Sequence, residues 1–146
     1  MFNPPLVHYA YEQEYRNHFE KLYCQGPIIT FDNIAVYFRK MDFYHCMYES
    51  SQRNKIKNRF SIKRSERVDW IKETLINPKA QLYYGWDKKR KKYDTNRRVA
   101  ILYEDFVVII RLRKRKSGET LIADFVTAFT AENSINKIIN MPKWQQ

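Results

Sequence analysis

Arg64 and Arg67 stand three residues apart in the stretch Arg59 to Pro78, RFSIKRSERVDWIKETLINP. At about 100° per residue, Val68, Ile71 and Leu75 fall within about 60° of one another. That spacing predicts one amphipathic helix with a core-facing stripe. Arg64 lies on the same side, one turn before Val68, and Arg67 is close enough for the two guanidinium groups to lean together. Ser61 is the expected N-cap and Asn77-Pro78 the stop. Two arginines held at a helix start beside a core stripe can clamp an anion; a solvated basic helix entrance has the same sequence.

His45 is the second candidate. It lies in MDFYHCMYES, where Phe43, Cys46 and Met47 predict one helical face. Phe43, Tyr44, Met47 and Tyr48 give it an aromatic and apolar setting that can hold an imidazole near neutral pKa, where it moves protons. A packed histidine bonded to a backbone carbonyl would use the same surroundings. His18, beside Phe19 and Glu20, reads as a surface or core-edge histidine.

Charge narrows the chemistry. The 146 residues carry a net charge of +11. Residues 53–116 hold the whole of that excess, and the rest of the chain has more acidic than basic side chains. A field that lopsided suits a polyanion, most simply nucleic acid. The runs DKKRKKYD, with Lys88, Lys89, Arg90, Lys91 and Lys92, and RLRKRKSG, with Arg111, Arg113, Lys114 and Arg115, are expected to guide a phosphate backbone, or to be solvated loop tips. The sequence has no HExxH, no paired CxxC and no Asp-rich loop for a metal, no Walker loop or GxGxxG, and no GxSxG elbow. Neither metal nor cofactor is expected. Cys24 and Cys46 read as reduced thiols of a cytoplasmic protein, and no apolar run is long enough to span a membrane.

One histidine, many arginines and abundant tyrosine match metal-independent cleavage of RNA. A base takes the proton of a 2′-hydroxyl, which attacks phosphorus; arginines stabilise the phosphorane, and an acid protonates the leaving 5′-oxygen. Aromatic side chains stack exposed bases.

The positioning elements follow from periodicity. Tyr9 to Cys24 reads as a helix, ended by Gly26-Pro27. Ile28 to Phe38 reads as a short hairpin or two extended pieces around Asp32-Asn33, and Gln52 to Asn58 as a linker. Four strands follow: Ala80 to Trp86, Arg97 to Tyr103, Phe106 to Arg113 and Glu119 to Thr130. On the last, alternation puts Leu121, Phe125, Thr127 and Phe129 on one face and Ile122, Asp124, Val126 and Ala128 on the other. Ala131 to Asn140 closes the chain as a short helix. The expected fold is α+β and a single domain. N-terminal helices, within about residues 1–78, pack on one face of a four-stranded antiparallel meander sheet, about 79–146.

Four segments carry a resemblance: FYHCMYE at 43–49, FSxxRxxRVDWIxxxLxxP at 60–78, FVVII at 106–110 and FVTAF at 125–129. Together they resemble the phage- and toxin-associated ribonucleases of the barnase–EndoU–colicin–RelE class, the BECR fold. The resemblance spans residues 40 to 140 and implies a helical part followed by an antiparallel sheet. It implies a catalytic set of His45, Arg64, Arg67 and Thr127, an RNA substrate and a phage or mobile-element origin. A neutralising protein partner would accompany a toxin. Several members of the class use a second histidine or a glutamate; here Tyr48, Glu49 and Asp124 are the candidates. Two alternatives stand beside the enzyme: an RNA- or nucleic-acid-binding regulatory protein on the same scaffold, and an inhibitor of a host nucleic-acid-handling complex.

Overall fold

The computed structural model describes residues 4–50, 58–87, 91–116, 118, 120–131, 135–140 and 142–143, with backbone alone at 85–87, 93–99, 135 and 137. Its class is α+β, but its sheet is not the expected four-stranded antiparallel meander. Six strands form one mixed, open sheet in the order β1-β2-β8-β7-β6-β5. The elements are α1 (Glu12–Tyr23), β1 (Ile28–Ile29), β2 (Ala35–Tyr37), α2 (Asp42–Met47), β3 (Tyr48–Glu49), β4 (Arg59–Phe60), α3 (Ile62–Ser65), α4 (Val68–Ile76), β5 (Gln81–Asp87), β6 (Lys92–Tyr103), β7 (Phe106–Lys114), β8 (Leu121–Thr130) and α5 (Ile135–Ile139). β1 and β2 form the hairpin expected around Asn33, whose φ of 69° suits the turn. They belong to the sheet, because β2 pairs in parallel with β8 (Ala35 with Ile122, Tyr37 with Asp124). The first 78 residues are therefore not purely helical. β3 and β4 pair as a separate two-stranded ribbon, which periodicity did not suggest.

The single helix expected over 59–78 is two. Ser61 caps α3 as expected, its Oγ accepting the Arg64 N–H at 3.1 Å. The chain then turns at Glu66-Arg67, and Arg67 leaves helical geometry at φ −99°, ψ 19°. The Glu66 carbonyl, which a continuous helix would give to Trp70, instead accepts the Val7 N–H at 2.8 Å. The Trp70 N–H bonds back to the Arg67 carbonyl at 3.0 Å. A tertiary hydrogen bond has replaced an intrahelical one. α4 ends at Ile76, before Asn77-Pro78, as expected.

β7 alternates strictly: Val108, Ile110 and Leu112 face the helices, while Val107 and Ile109 pack against Ile138 of α5 and Tyr83 on the other face. β8 does not keep its expected alternation. Ile109 pairs with Thr127 and Ile110 with Phe125, so Val126 is an extra residue, a β-bulge. The bulge shifts the side-chain parity by one. Ala123, Phe125 and Ala128 face the helical layer, whereas Phe129 joins the opposite face. Phe125 and Phe129, expected together, point apart.

Phe19 of α1 is fully buried among Tyr23, Phe38, Phe43 and Phe125, with ring centroids 5.2 to 6.5 Å apart. The Tyr23 hydroxyl enters the backbone ladder of α4, donating to the Val68 carbonyl and accepting the Lys72 N–H at 2.9 Å. Burial, above all, raises the Tyr23 phenol well above its usual pKa and keeps it a donor. Phe19→Ala should cost about 3–5 kcal/mol of unfolding free energy in urea titration. Exposed Tyr11→Ala should stay within about 0.5 kcal/mol.

Candidate functional site

α2 lies across β8, with the Cys46 thiol donating to the Ala128 carbonyl at 3.5 Å. A cavity opens on each side of this seam. The larger, about 450 Å³, is lined by Arg39, Asp42, His45, Arg111, Asp124, Phe125, Val126 and Thr127. It forms because β2 pairs with β8 only as far as Asp124, leaving the bulged segment at Val126 beyond β2's reach. The chain then turns at Arg39 into α2. Asp42, only 2% exposed, anchors that turn: its Oδ2 accepts the Arg39 N–H at 2.8 Å and its Oδ1 lies 3.3 Å from Arg39 Nη2. His45 follows Asp42 by three residues and is exposed, on the side of α2 away from buried Phe43, Cys46 and Met47. The aromatic and apolar setting expected for it is divided: Phe43 and Met47 turn into the core, while Tyr44, like His45, is exposed.

Thr127 lines the same cavity, and its hydroxyl is buried with no hydrogen-bond partner among the described residues. Ser65 and Thr74 hydroxyls share that condition inside the helical layer. Asp124, one of three candidates for the second acid or base, also lines it, gripped by Arg113 through Nε at 2.8 Å and Nη2 at 3.2 Å. That hydrogen bond raises the pKa of the Arg113 guanidinium. The other two candidates lie elsewhere. Glu49 pairs with Arg59 at 2.8 Å, and the Tyr48 hydroxyl donates to Glu12 at 2.7 Å.

The smaller cavity, about 160 Å³, is lined by Lys63, Arg64, Arg67, Glu49, Ser61 and Thr130, floored by Phe106, Ala128 and Phe129. Arg64 Nη1 donates to the Cys46 carbonyl at 3.3 Å, placing a cation at the last turn of α2. Arg67 Nη1 donates to the Lys63 carbonyl at 2.6 Å and to Glu66 at 3.1 Å. The structure thus brings Arg64 and Arg67 together, and His45 and Thr127 together, but the two pairs occupy different cavities. The four-residue cleft expected from the sequence is not formed.

Of the expected backbone-guiding residues, Lys88, Lys89 and Arg90 lie outside the described residues. Lys91 and Lys92 are exposed at the β5–β6 turn. Arg111, Arg113, Lys114 and Arg115 are exposed along and beyond β7. Arg111 pairs in register with Asp124, and Arg115 Nη2 donates to the Tyr37 hydroxyl at 3.3 Å. Sequence reasoning missed Arg39 and Asp42. Their three-residue spacing before a helical stretch, with an aspartate able to take a backbone N–H, was the available signal.

No family model, curated protein or solved structure matches the chain. Among the described residues no helix is long and apolar enough to cross a membrane.

Two expected outcomes follow from this geometry. Thr127→Val exchanges a partnerless hydroxyl for a methyl of similar volume and should leave stability unchanged within about 1 kcal/mol, or raise it, in urea titration. The bond to Glu12 pushes the Tyr48 phenol from 10.0 up to about 12. The folded state therefore holds this proton more tightly than the unfolded one. Its contribution is complete below pH 10 and is lost as pH rises toward 12. Tyr48→Phe should flatten the fall in urea midpoint across that window.

Proposed function

We propose that this protein binds RNA and cleaves it without a metal, as a ribonuclease of the barnase–EndoU–colicin–RelE kind. The observation that carries the reading is the larger cavity. There an imidazole (His45), a carboxylate (Asp124), two guanidinium groups (Arg39, Arg111) and a partnerless hydroxyl (Thr127) line one concave space. Asp124, held by Arg113, takes the proton of a 2′-hydroxyl. The freed oxygen attacks phosphorus and the bond to the 5′-oxygen breaks. Protonated His45 gives its proton to that leaving oxygen. Arg39 and Arg111 hold the phosphoryl oxygens, and Thr127 donates a hydrogen bond to one of them. The basic side chains along β7 lead the strand to the cavity, so affinity falls as salt rises.

The resemblance assigns Arg64 and Arg67 to the catalytic set. Their position on the far side of the α2–β8 seam supports a different role, contact with the RNA away from the bond that breaks. The same separation favours a second reading, an RNA-binding protein that does not cut.

Incubating the protein with total RNA in EDTA decides between them. Cleavage is expected, lowered by about a hundredfold or more in His45→Ala and Asp124→Asn while RNA binding persists. Arg64→Ala should weaken binding and leave the rate at saturating RNA nearly unchanged. Salt-sensitive binding with no cleavage at any concentration would overturn the enzyme and leave the binding reading.

A further inference from the structure

The smaller cavity holds an arginine that its own helix does not orient. Arg67 sits at the break between α3 and α4, outside helical geometry, and caps α4 without a side-chain hydrogen bond. Its Nη1 donates to the Lys63 carbonyl at 2.6 Å, and two further neighbours fix the guanidinium. Glu66 takes a hydrogen bond from Nη1, and the Trp70 ring lies beneath Cζ at 5.0 Å from its centroid, a cation–π contact. Both neighbours are in turn fixed by the chain's first described residues. The Trp70 indole N–H donates to the Pro4 carbonyl at 2.7 Å. The Glu66 carbonyl accepts from Val7, and its carboxylate lies 3.6 Å from His8 Nδ1. Residues 4–9 therefore form a strap across the start of α4.

The far end of the strap is anchored as well. The Tyr9 N–H donates to the Tyr15 hydroxyl at 3.1 Å. The Tyr9 hydroxyl lies 2.9 Å from His18 Nδ1, and His18 Nε2 lies 2.6 Å from Asp69 Oδ1. This chain of three polar groups ties the strap to α1 and α4 together. On its inner side Trp70 packs edge-on against Phe106, at 5.5 Å between centroids, and Phe106 is part of the cavity floor. The indole thus joins the strap to the cavity wall.

We infer that Arg67 is a phosphate-binding residue of the smaller cavity and that Trp70, held by the N-terminal strap, is its positioning residue. Among the described residues both of Arg67's hydrogen bonds leave from Nη1, and a guanidinium has five N–H donors. Donors remain for a phosphate oxygen, with Lys63 and Arg64 lining the same space. Glu49, the carboxylate of that lining, is paired with Arg59. The ligand is a phosphate of the bound RNA, away from the cleaved bond, so the inference rests on the RNA reading above.

A 2′-O-methyl RNA oligonucleotide, which has no attacking hydroxyl, serves as the probe. Its binding is measured by fluorescence anisotropy over a salt series. The proteins are wild type, Arg67→Ala, Trp70→Phe, Trp70→Met and the two double variants, with Arg111→Ala as reference and a melting curve for each. Arg67→Ala should weaken binding about tenfold and reduce the slope of log K against log salt by about 0.7. Trp70→Met should weaken binding more than Trp70→Phe, because phenylalanine keeps a ring under the guanidinium. Neither should weaken it further in the Arg67→Ala background, although each lowers the melting temperature equally in both backgrounds. A Trp70 effect of the same size with and without Arg67 would overturn the positioning role. Wild-type affinity in Arg67→Ala, with affinity lost in Arg111→Ala, would overturn the subsite and leave the RNA reading intact. Absence of RNA binding by the wild-type protein would remove both.

Discussion

Phe38 is stacked between Tyr23 of α1 and Phe125 of β8, with centroids 4.6 Å from each and interplanar angles of 30° and 24°. The rest of the arrangement depends on this stack. It fixes the end of β2 beside β8, so pairing between the two stops at Asp124. It turns the chain at Arg39 into α2, which then lies across β8. It also holds Phe125 on the helical side just before the bulge. The larger cavity is the gap left where β2 departs and β8 bulges. Burial of three aromatic rings, worth roughly 1.5–3 kcal/mol each, thus sets where an imidazole and a carboxylate meet.

Much of this was legible in the sequence where the determinants are local. The cap at Ser61, the stop at Asn77-Pro78 and the hairpin around Asp32-Asn33 follow from residue type and spacing. The failures have one physical origin, competition from distant partners. The 59–78 helix breaks because Val7 takes the Glu66 carbonyl. β2 enters the main sheet because β8, nearly ninety residues later, offers it a free edge. The Val126 bulge leaves the composition of β8 unchanged, yet one extra residue parts Phe129 from Phe125, its expected neighbour. Period-two reasoning has no means of detecting such an insertion.

The candidate site inherits the same division. Residue types were legible: His45, Arg64, Arg67, Thr127 and the β7 arginines all lie at cavities or on the exposed basic strand. Their grouping was not, because the sequence does not reveal that the α2–β8 seam runs between them. Arg39 and Asp42 escaped notice for a related reason. A buried carboxylate is costly unless fully bonded, and Asp42 obtains its bonds from the turn that the Phe38 stack creates.

The seam itself couples the two cavities. Cys46 lies at the seam and lines the smaller cavity: its thiol bonds to Ala128, and its carbonyl accepts from Arg64. His45 precedes it and Thr127 precedes Ala128, so these two residues of the larger cavity each have a chain neighbour at the smaller one. A polyanion long enough to reach both would meet Arg111 and Arg39 on one side and Arg64, Arg67 and Lys63 on the other. On the RNA proposal, division of the arginines has a physical use: positive charge spread over two pockets engages separate phosphates of one strand, which a single four-residue cleft would not. Counterion release grows with the number of phosphates neutralised. Two modest pockets separated by a rigid seam can therefore bind a strand more tightly, and with steeper salt dependence, than one pocket holding the same side chains around a single phosphate.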